Sequence, residues 1–297
     1  MSTTAIPILE EEKKPTSLSL RFRGWLACCL LTVVFYLLPL PLSGERILLV
    51  VGMAVFWVGV IAAFRPYGRL RLLPIAVTLL NLFPVRTGTL RLLLLCGVMA
   101  LWITALVVFR QRRGVRGALL AIGGMSAGFL LLPGRAPNPE ALRVEYVRSL
   151  QGFQGTPYIW GGENGIGIDC SGLIRCGWMD ANLRTGLRTL NPGLVRQAAR
   201  IWLQDCSAQE LGLGYRNRTQ LQGTTPALNE IDTASLKIGD LAVTQTQDWA
   251  HILAYIGDHR WIEADPGTGK VTTMQTPVAR DITFNRPMKI VRWRTTE

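Results

Sequence analysis

The chain has 297 residues, enough for two units of ordinary domain size, and a formal net charge of +12. The excess is one-sided: residues 1–137 hold 15 Lys and Arg against 4 Asp and Glu, whereas residues 138–297 hold 17 against 16. Arginines in short loops between apolar runs orient a membrane protein. The near-neutral C-terminal half offers no basic surface for nucleic acid, so nucleic acid is excluded as a partner.

Residues 1–24 are polar, with the acidic and basic stretch Glu10 to Lys14 followed by Arg21 and Arg23, and read as a cytoplasmic tail. Residues 25–133 read as a transmembrane helical region. Apolar runs at 25–42, 47–64, 90–109 and 117–133 have about the length that spans a bilayer core. The segment 72–85 is shorter and carries Pro74 and Asn81. As a helix it would rise only about 21 Å against a core of roughly 30 Å. Four spans put Arg110, Arg112, Arg113 and Arg116 outside and the C-terminal half inside. Five spans put those arginines in the cytoplasm and the C-terminal half on the periplasmic or extracellular side, which the charge rule favours. The expected location is the bacterial cytoplasmic membrane, multi-pass.

Residues 134–139, in the stretch PGRAPNPE, form a linker, and 140–297 a soluble α+β domain. Residues 140–151 place Leu142, Tyr146 and Leu150 at helical spacing. A glycine-rich loop (Gly161, Gly162, Gly165, Gly167) then ends at Asp169-Cys170-Ser171-Gly172, directly before an apolar helical run from about 170 to 180. A cysteine at a helix N-terminus sits among unpaired N–H groups that favour a thiolate. The same groups suit an oxyanion hole. Cys176, six residues on, reads as core. A helix is expected around 194–206 within the segment 191–225, which either walls the cleft or is a packed surface insertion.

Strands are expected at 241–244, 251–256, 261–264 and 289–294. A nucleophilic cysteine needs a base and a group to orient it. His251 is the candidate base, and Glu263 and Asp265 are candidate orienters. With a three-residue turn at 257–259, Leu253 pairs with Glu263, and His251 and Glu263 point to one face. A two-residue turn would separate them. His259, in the turn, reads as a solvated residue. Two histidines and no C-x-x-C pair suggest no metal site, and no cofactor is expected.

The PYIWGG, GIDCSGL, GDL and HILAYIGD segments, in that order, resemble the NlpC family (NlpC/p-sixty) of cell-wall cysteine peptidases. The resemblance implies a papain-like α+β fold, with a nucleophile helix on an antiparallel sheet, and hydrolysis of peptide bonds in peptidoglycan stem peptides or muropeptides. It gives Cys170 as nucleophile, His251 as base, and Glu263 in the third polar position, where the family more often has His. It gives Tyr158 near the oxyanion, and Asp169 and Ser171 as residues that bind the stem's free amine. The membrane region and the long spacing between Cys170 and Asp240 depart from the family pattern. Two other readings stand beside it. One is an acyltransferase or amidase at the membrane, which the order Cys before His disfavours. The other is a non-catalytic module that binds the cell wall or a protein partner.

Overall fold

The structure, a computed structural model, describes residues 72–244 and 250–296. The expected tail 1–24 and the expected spans 25–42 and 47–64 lie outside the described residues. The first helix, α1, covers Leu72–Leu82. Its 11 residues rise about 16 Å, roughly half a bilayer core. Two described helices are long and apolar enough to cross a membrane: α2, Gly88–Val108, and α3, Arg113–Leu131. These answer the runs expected at 90–109 and 117–133. A core helix of a soluble protein would bury most of its length, but these bury only 17% and 6% of their apolar windows. Leu92, Met99, Ile103, Leu120 and Met125 stand exposed along them.

From Ala76 onward the described residues belong to one compact unit. The start of α2 meets the C-terminal domain, where Arg91 binds Glu163. The end of α3 meets it too, where the carbonyls of Leu130 and Leu132 accept from Arg196. The hairpin's turn, with Arg110, Arg112, Arg113 and Arg116, therefore lies at the far end, about 30 Å away by helical rise. The linker 134–139 is fixed rather than free. Asn191 accepts from the Arg135 N–H at 3.1 Å and donates to its carbonyl at 2.7 Å. Gly134 lies so close to Gly193 that a Cβ would sit 2.8 Å from its Cα.

Helix α4, Pro139–Gln151, starts as its sequence dictates: Asn138 caps it and accepts from the Ala141 N–H, and proline takes the first turn. Helix α5 covers Cys170–Arg188, longer than the run to about 180 that was expected. Its insertion partners follow as α6, Pro192–Leu203, and the short α7, Ala208–Gly212. Two small strands, β1 Glu163–Asn164 and β2 Gly167–Ile168, pair before α5. The main sheet holds β3 Thr219–Thr225, β4 Leu241–Thr244, β5 Ile252–Gly257, β6 Arg260–Asp265, β7 Lys270–Gln275 and β8 Met288–Trp293. Its order is β3-β8-β4-β5-β6-β7, antiparallel throughout. Sequence periodicity did not announce β3 or β7. β3 is an edge strand whose middle is exposed, so it lacks an apolar stripe, and β7 reads KVTTMQ. Segment 191–225 thus supplies a strand to the sheet as well as α6.

Alternate residues of β5 and β6 divide between two cores, which is why both strands read as nearly continuous apolar runs. Ile252, Ala254, Ile256, Ile262 and Ala264 join the helical core with Leu173 and Ile174. Leu253, Tyr255 and Trp261 pack on the other face with Leu228, Phe284 and Met288. Helices α4 and α5 meet β8 through an aromatic stack. Trp178 lies parallel to Trp293 with centroids 4.7 Å apart, and Tyr146 meets Trp178 edge-on at 5.1 Å.

The β5–β6 hairpin corrects the expected three-residue turn. Ala254 pairs with Ile262 and Tyr255 with Trp261, as expected, but Gly257 rather than Ile256 pairs with Arg260. The turn is a two-residue one, with Asp258 and His259 both at positive φ (53° and 57°), the backbone of a type I′ turn. A bulge at Ile256–Gly257 absorbs the odd residue and restores the register. Gly257, at φ 92°, has the freedom that bulge requires.

Asp240 is fully buried at the start of β4, where it accepts from Arg292 on β8 through Nε at 2.6 Å and Nη2 at 2.7 Å. Its Oδ2 also takes the Lys237 N–H at 2.8 Å, closing the GDL turn. Replacing Asp240 with Ala would remove the carboxylate that takes two bonds from the buried Arg292 guanidinium, a loss of about 3–5 kcal/mol in unfolding free energy. Denaturant unfolding of Asp240→Ala beside the parent protein checks this, and a change below about 1 kcal/mol would contradict it.

Candidate active site

Cys170 is the first residue of α5 and is 9% exposed. Asp169 caps the helix from an extended conformation, its Oδ1 accepting from the Gly172 N–H at 2.6 Å and the Ser171 hydroxyl at 3.0 Å. Its Oδ2 accepts from the Gly161 N–H at 2.7 Å. One carboxylate therefore joins the start of the helix to the glycine loop. That loop packs tightly on the helix end: a Cβ on Gly172 would lie 2.2 Å from the Gly162 carbonyl oxygen. Glycine at 172 is demanded by this close approach, and glycine at 162 by the loop's own fold, where a Cβ would lie 2.4 Å from the Gly167 carbonyl oxygen.

His251 stands just before β5 and is held on both sides of its backbone by Thr244 of β4. Its N–H donates to Thr244 Oγ1 at 2.9 Å, and its carbonyl accepts from the Thr244 N–H at 3.0 Å. The imidazole is buried, and its Nε2 lies 2.6 Å from Glu263 Oε2 on β6. The His251 ring also makes a hydrogen bond with the Cys170 side chain. Burial by itself would lower the His251 pKa. Burial is the largest single influence, but the bond to Cys170, the bond to Glu263 and the charges of both together outweigh it and raise the pKa to about 10. Burial pushes the Glu263 carboxyl up, against the opposing pull of His251. Of the two candidate orienters, Glu263 is the one in contact with the ring. Asp265 instead accepts from the Gly267 and Thr268 N–H groups, both at 2.8 Å, in the β6–β7 turn.

Tyr158 is half-buried, and its backbone is laced to both neighbours. Its N–H donates to the Gly269 carbonyl at 2.8 Å, and it bridges Ile168 in parallel. Burial, then the charges of Cys170, Asp169 and Asp265, push its phenol up to about 12, so it is a neutral hydroxyl beside the thiol. Asp169 and Ser171 are buried, 8% exposed each, with the cap bonds already given. Cys176 contrasts with Cys170. Burial and the charge of Glu163 hold its thiol well above the usual range, and Sγ lies 3.3 Å from the Glu163 carbonyl. It is a neutral, packed thiol. His259, in the hairpin turn, bonds Thr233 Oγ1 through Nδ1 at 3.2 Å and takes no part in the site.

A thiol at a helix start, an imidazole bonded to it and a carboxylate behind the imidazole meet the geometric needs of nucleophilic acyl chemistry. With that arrangement in view, the comparison with known families is informative. Residues 155–286 match the NlpC/P60 family. The matched residues include Tyr158, Cys170, His251 and Glu263. No curated protein matches the chain significantly. Among solved structures, an NlpC/P60 family protein from Bacillus cereus is 21% identical, over 54% of this chain and 41% of its own, with a TM-score of 0.33. NlpC1 from Trichomonas vaginalis is 15% identical, over 54% and 46%, with a TM-score of 0.34. The peptidoglycan hydrolase RipB from Mycobacterium tuberculosis is 21% identical, over 66% and 84%, with a TM-score of 0.31. The chain spans less than half the length of the first two, and at these values the likeness carries no argument.

Motif spacing did not single out Glu163, Arg175, Asp205 or Arg91, which meet in an ionic cluster beside the glycine loop, three of them buried and Asp205 half-exposed. The available signal was Arg91 itself, a lone charge within an apolar run of membrane length.

The geometry sets a pH test. The Glu263 carboxylate stabilises the imidazolium, so removing its charge makes His251 easier to deprotonate. In Glu263→Gln the alkaline limb of kcat/KM is expected to move below the parent limb near pH 10, with a fall in kcat of about 10-fold or more. A pH–rate profile of both proteins measures this, and coincident alkaline limbs would show that Glu263 does not act on His251.

Proposed function

We propose that the protein is a membrane-anchored cysteine peptidase that hydrolyses peptide bonds in peptidoglycan stem peptides or muropeptides. The observation that carries this reading is the bonded series Cys170, His251, Glu263 at the start of α5, inside the residues that match the NlpC/P60 family. The Cys170 thiolate attacks the scissile carbonyl carbon, and the oxyanion forms against the first-turn N–H groups of α5, with Tyr158 beside it. Imidazolium His251 gives its proton to the leaving amine nitrogen as the C–N bond breaks, leaving a thioester on Cys170. His251 then takes a proton from water, the hydroxide oxygen adds to the thioester carbonyl, and the C–S bond breaks to release the acid and the thiolate. Glu263 holds the ring in place and balances its charge through both steps. Asp169 and Ser171 meet the stem's free amine at the edge of the cap they form.

Helices α2 and α3 are read as membrane spans, and α1 with the residues before it as the remainder of the anchor. Basic residues at the turn of the α2–α3 hairpin belong on the cytoplasmic side, and the domain sits at the opposite end of that hairpin. The catalytic domain is therefore placed on the outer side of the cytoplasmic membrane. With the tail in the cytoplasm and spans at 25–42 and 47–64, this placement requires the 72–85 segment to cross as a fifth span. The domain boundaries follow: an anchor to residue 133, a fixed connector at 134–139 and the peptidase domain from 140 onward.

Full-length protein in detergent micelles is expected to release fragments from purified muropeptides, and Cys170→Ala to reduce the rate at least 10³-fold. Mass spectrometry of the digest identifies the bond cleaved. Cleavage that survives the substitution would remove Cys170 from the mechanism. For topology, a reporter fluorescent only in the cytoplasm, fused after Glu297, is expected to stay dark. A bright fusion would place the domain inside the cell.

A further inference from the structure

The segment that enters α2 is bound to the glycine loop beside Cys170 along its whole length. The Glu163 N–H donates to the Pro84 carbonyl at 2.9 Å, the Arg86 N–H to the Gly161 carbonyl at 3.3 Å, and Val85 and Gly162 form a β-bridge. Asn164 donates its side-chain amide to the Phe83 carbonyl at 3.1 Å. Side chains add a second layer. Arg91, three residues into α2 and 3% exposed, donates Nη2 to Glu163 Oε1 at 2.6 Å and Nη1 to the Trp202 carbonyl, and lies 3.3 Å from Asp205. Arg175 of α5 binds the same Glu163 oxygen and Asp205, and its Nε reaches back to the Ser171 carbonyl at 3.3 Å. Two arginines and two carboxyl groups from a membrane-length helix, the glycine loop, the nucleophile helix and the insertion thus close one ionic cluster, in which Asp205 alone is half-exposed. Every buried member depends on the others for compensation.

The consequence for the cysteine follows from the bonds already described. Glu163 adjoins Gly162, whose carbonyl lies against Gly172 and accepts from the Asp169 N–H at 3.1 Å. The loop cannot move without moving the cap that places Cys170. We infer that Arg91 is a positioning residue for Cys170: the membrane hairpin, through Arg91 and Glu163, sets the conformation of residues 161–172 and with it the reactivity of the thiolate. This rests on Cys170 being the nucleophile. It makes catalytic competence a property of the seated hairpin, a dependence that a passive tether would not create.

The test uses full-length protein in nanodiscs, with Arg91→Leu and Arg91→Lys beside the parent. Two readouts are taken: steady-state kinetics on muropeptides, and the rate of iodoacetamide labelling at Cys170 against pH, followed on the Cys170 peptide by mass spectrometry. Arg91→Leu is expected to lower kcat 10-fold or more with KM within about threefold, to slow labelling and to displace its pH midpoint. Lysine keeps the charge but cannot reach Glu163 and the Trp202 carbonyl together, so Arg91→Lys should give an intermediate loss. Labelling needs no substrate, so it reports on Arg91 even if muropeptides prove to be the wrong substrate. Should Arg91→Leu fail to fold, Arg91→Lys and Glu163→Gln carry the same comparison. Unchanged kcat and an unchanged labelling profile in folded variants would reduce Arg91 to an anchor and overturn the inference.

Discussion

The Asp169 carboxylate is the constraint on which the site depends. Its two oxygens hold the Gly172 N–H, the Ser171 hydroxyl and the Gly161 N–H, so the start of α5 and the glycine loop are one object. An N-cap ordinarily satisfies the orphan donors of a helix end and is worth about 1 kcal/mol. Here it also fixes the start of the helix at Cys170, which lies between the capping Asp169 and the Gly172 N–H that donates to it. Glycine at 172 lets the helix end close on the loop to a distance that no side chain would permit. His251 is positioned by a separate device, its backbone bonds to Thr244, and the two systems meet at the thiol.

Much of this was legible because it is local. A polar cap, a cysteine, a glycine and an apolar run written consecutively announce a helix that begins at Cys170. The two sides of the sheet were legible in β5 and β6 because side chains alternate, and alternation survives without knowledge of the partner strand. The pairing of His251 with Glu263 was reached by parity, although the turn differs from the one assumed: a two-residue turn and a bulge together count as three. Edge strand β3, with an exposed middle, and β7, rich in threonine, carry no comparable apolar signature, and only the hydrogen bonds of their neighbours define them. The charge cluster was least legible. Arg91 and Glu163 stand 72 residues apart, and their partners come from α5 and the segment after α6, so no spacing rule connects them.

Attachment of the domain to its helices differs in kind from a flexible leash. The connector at 134–139 is bonded on both faces of its backbone to Asn191, Arg196 grips the carbonyls that end α3, and the entry to α2 is stitched to residues 161–164. Two separate stretches of the apolar half therefore bear on the C-terminal domain, one at α6 and one beside the site. Segment 191–225 serves both, since α6 carries Arg196, the following residues carry Asp205, and β3 extends the sheet. Its length is accounted for by these attachments.

The bulge at Ile256–Gly257 has a consequence for how this sequence tolerates change. Hairpin tips are ordinarily where indels do least harm, because nothing beyond the loop feels them. At this tip the residue count itself is constrained. One codon lost or gained between Tyr255 and Arg260 would trade the compensating kink for the opposite parity, and the carboxylate at 263 would turn from the imidazole into the other core. A solvent-exposed turn is thereby under the same length constraint as the buried strands it joins.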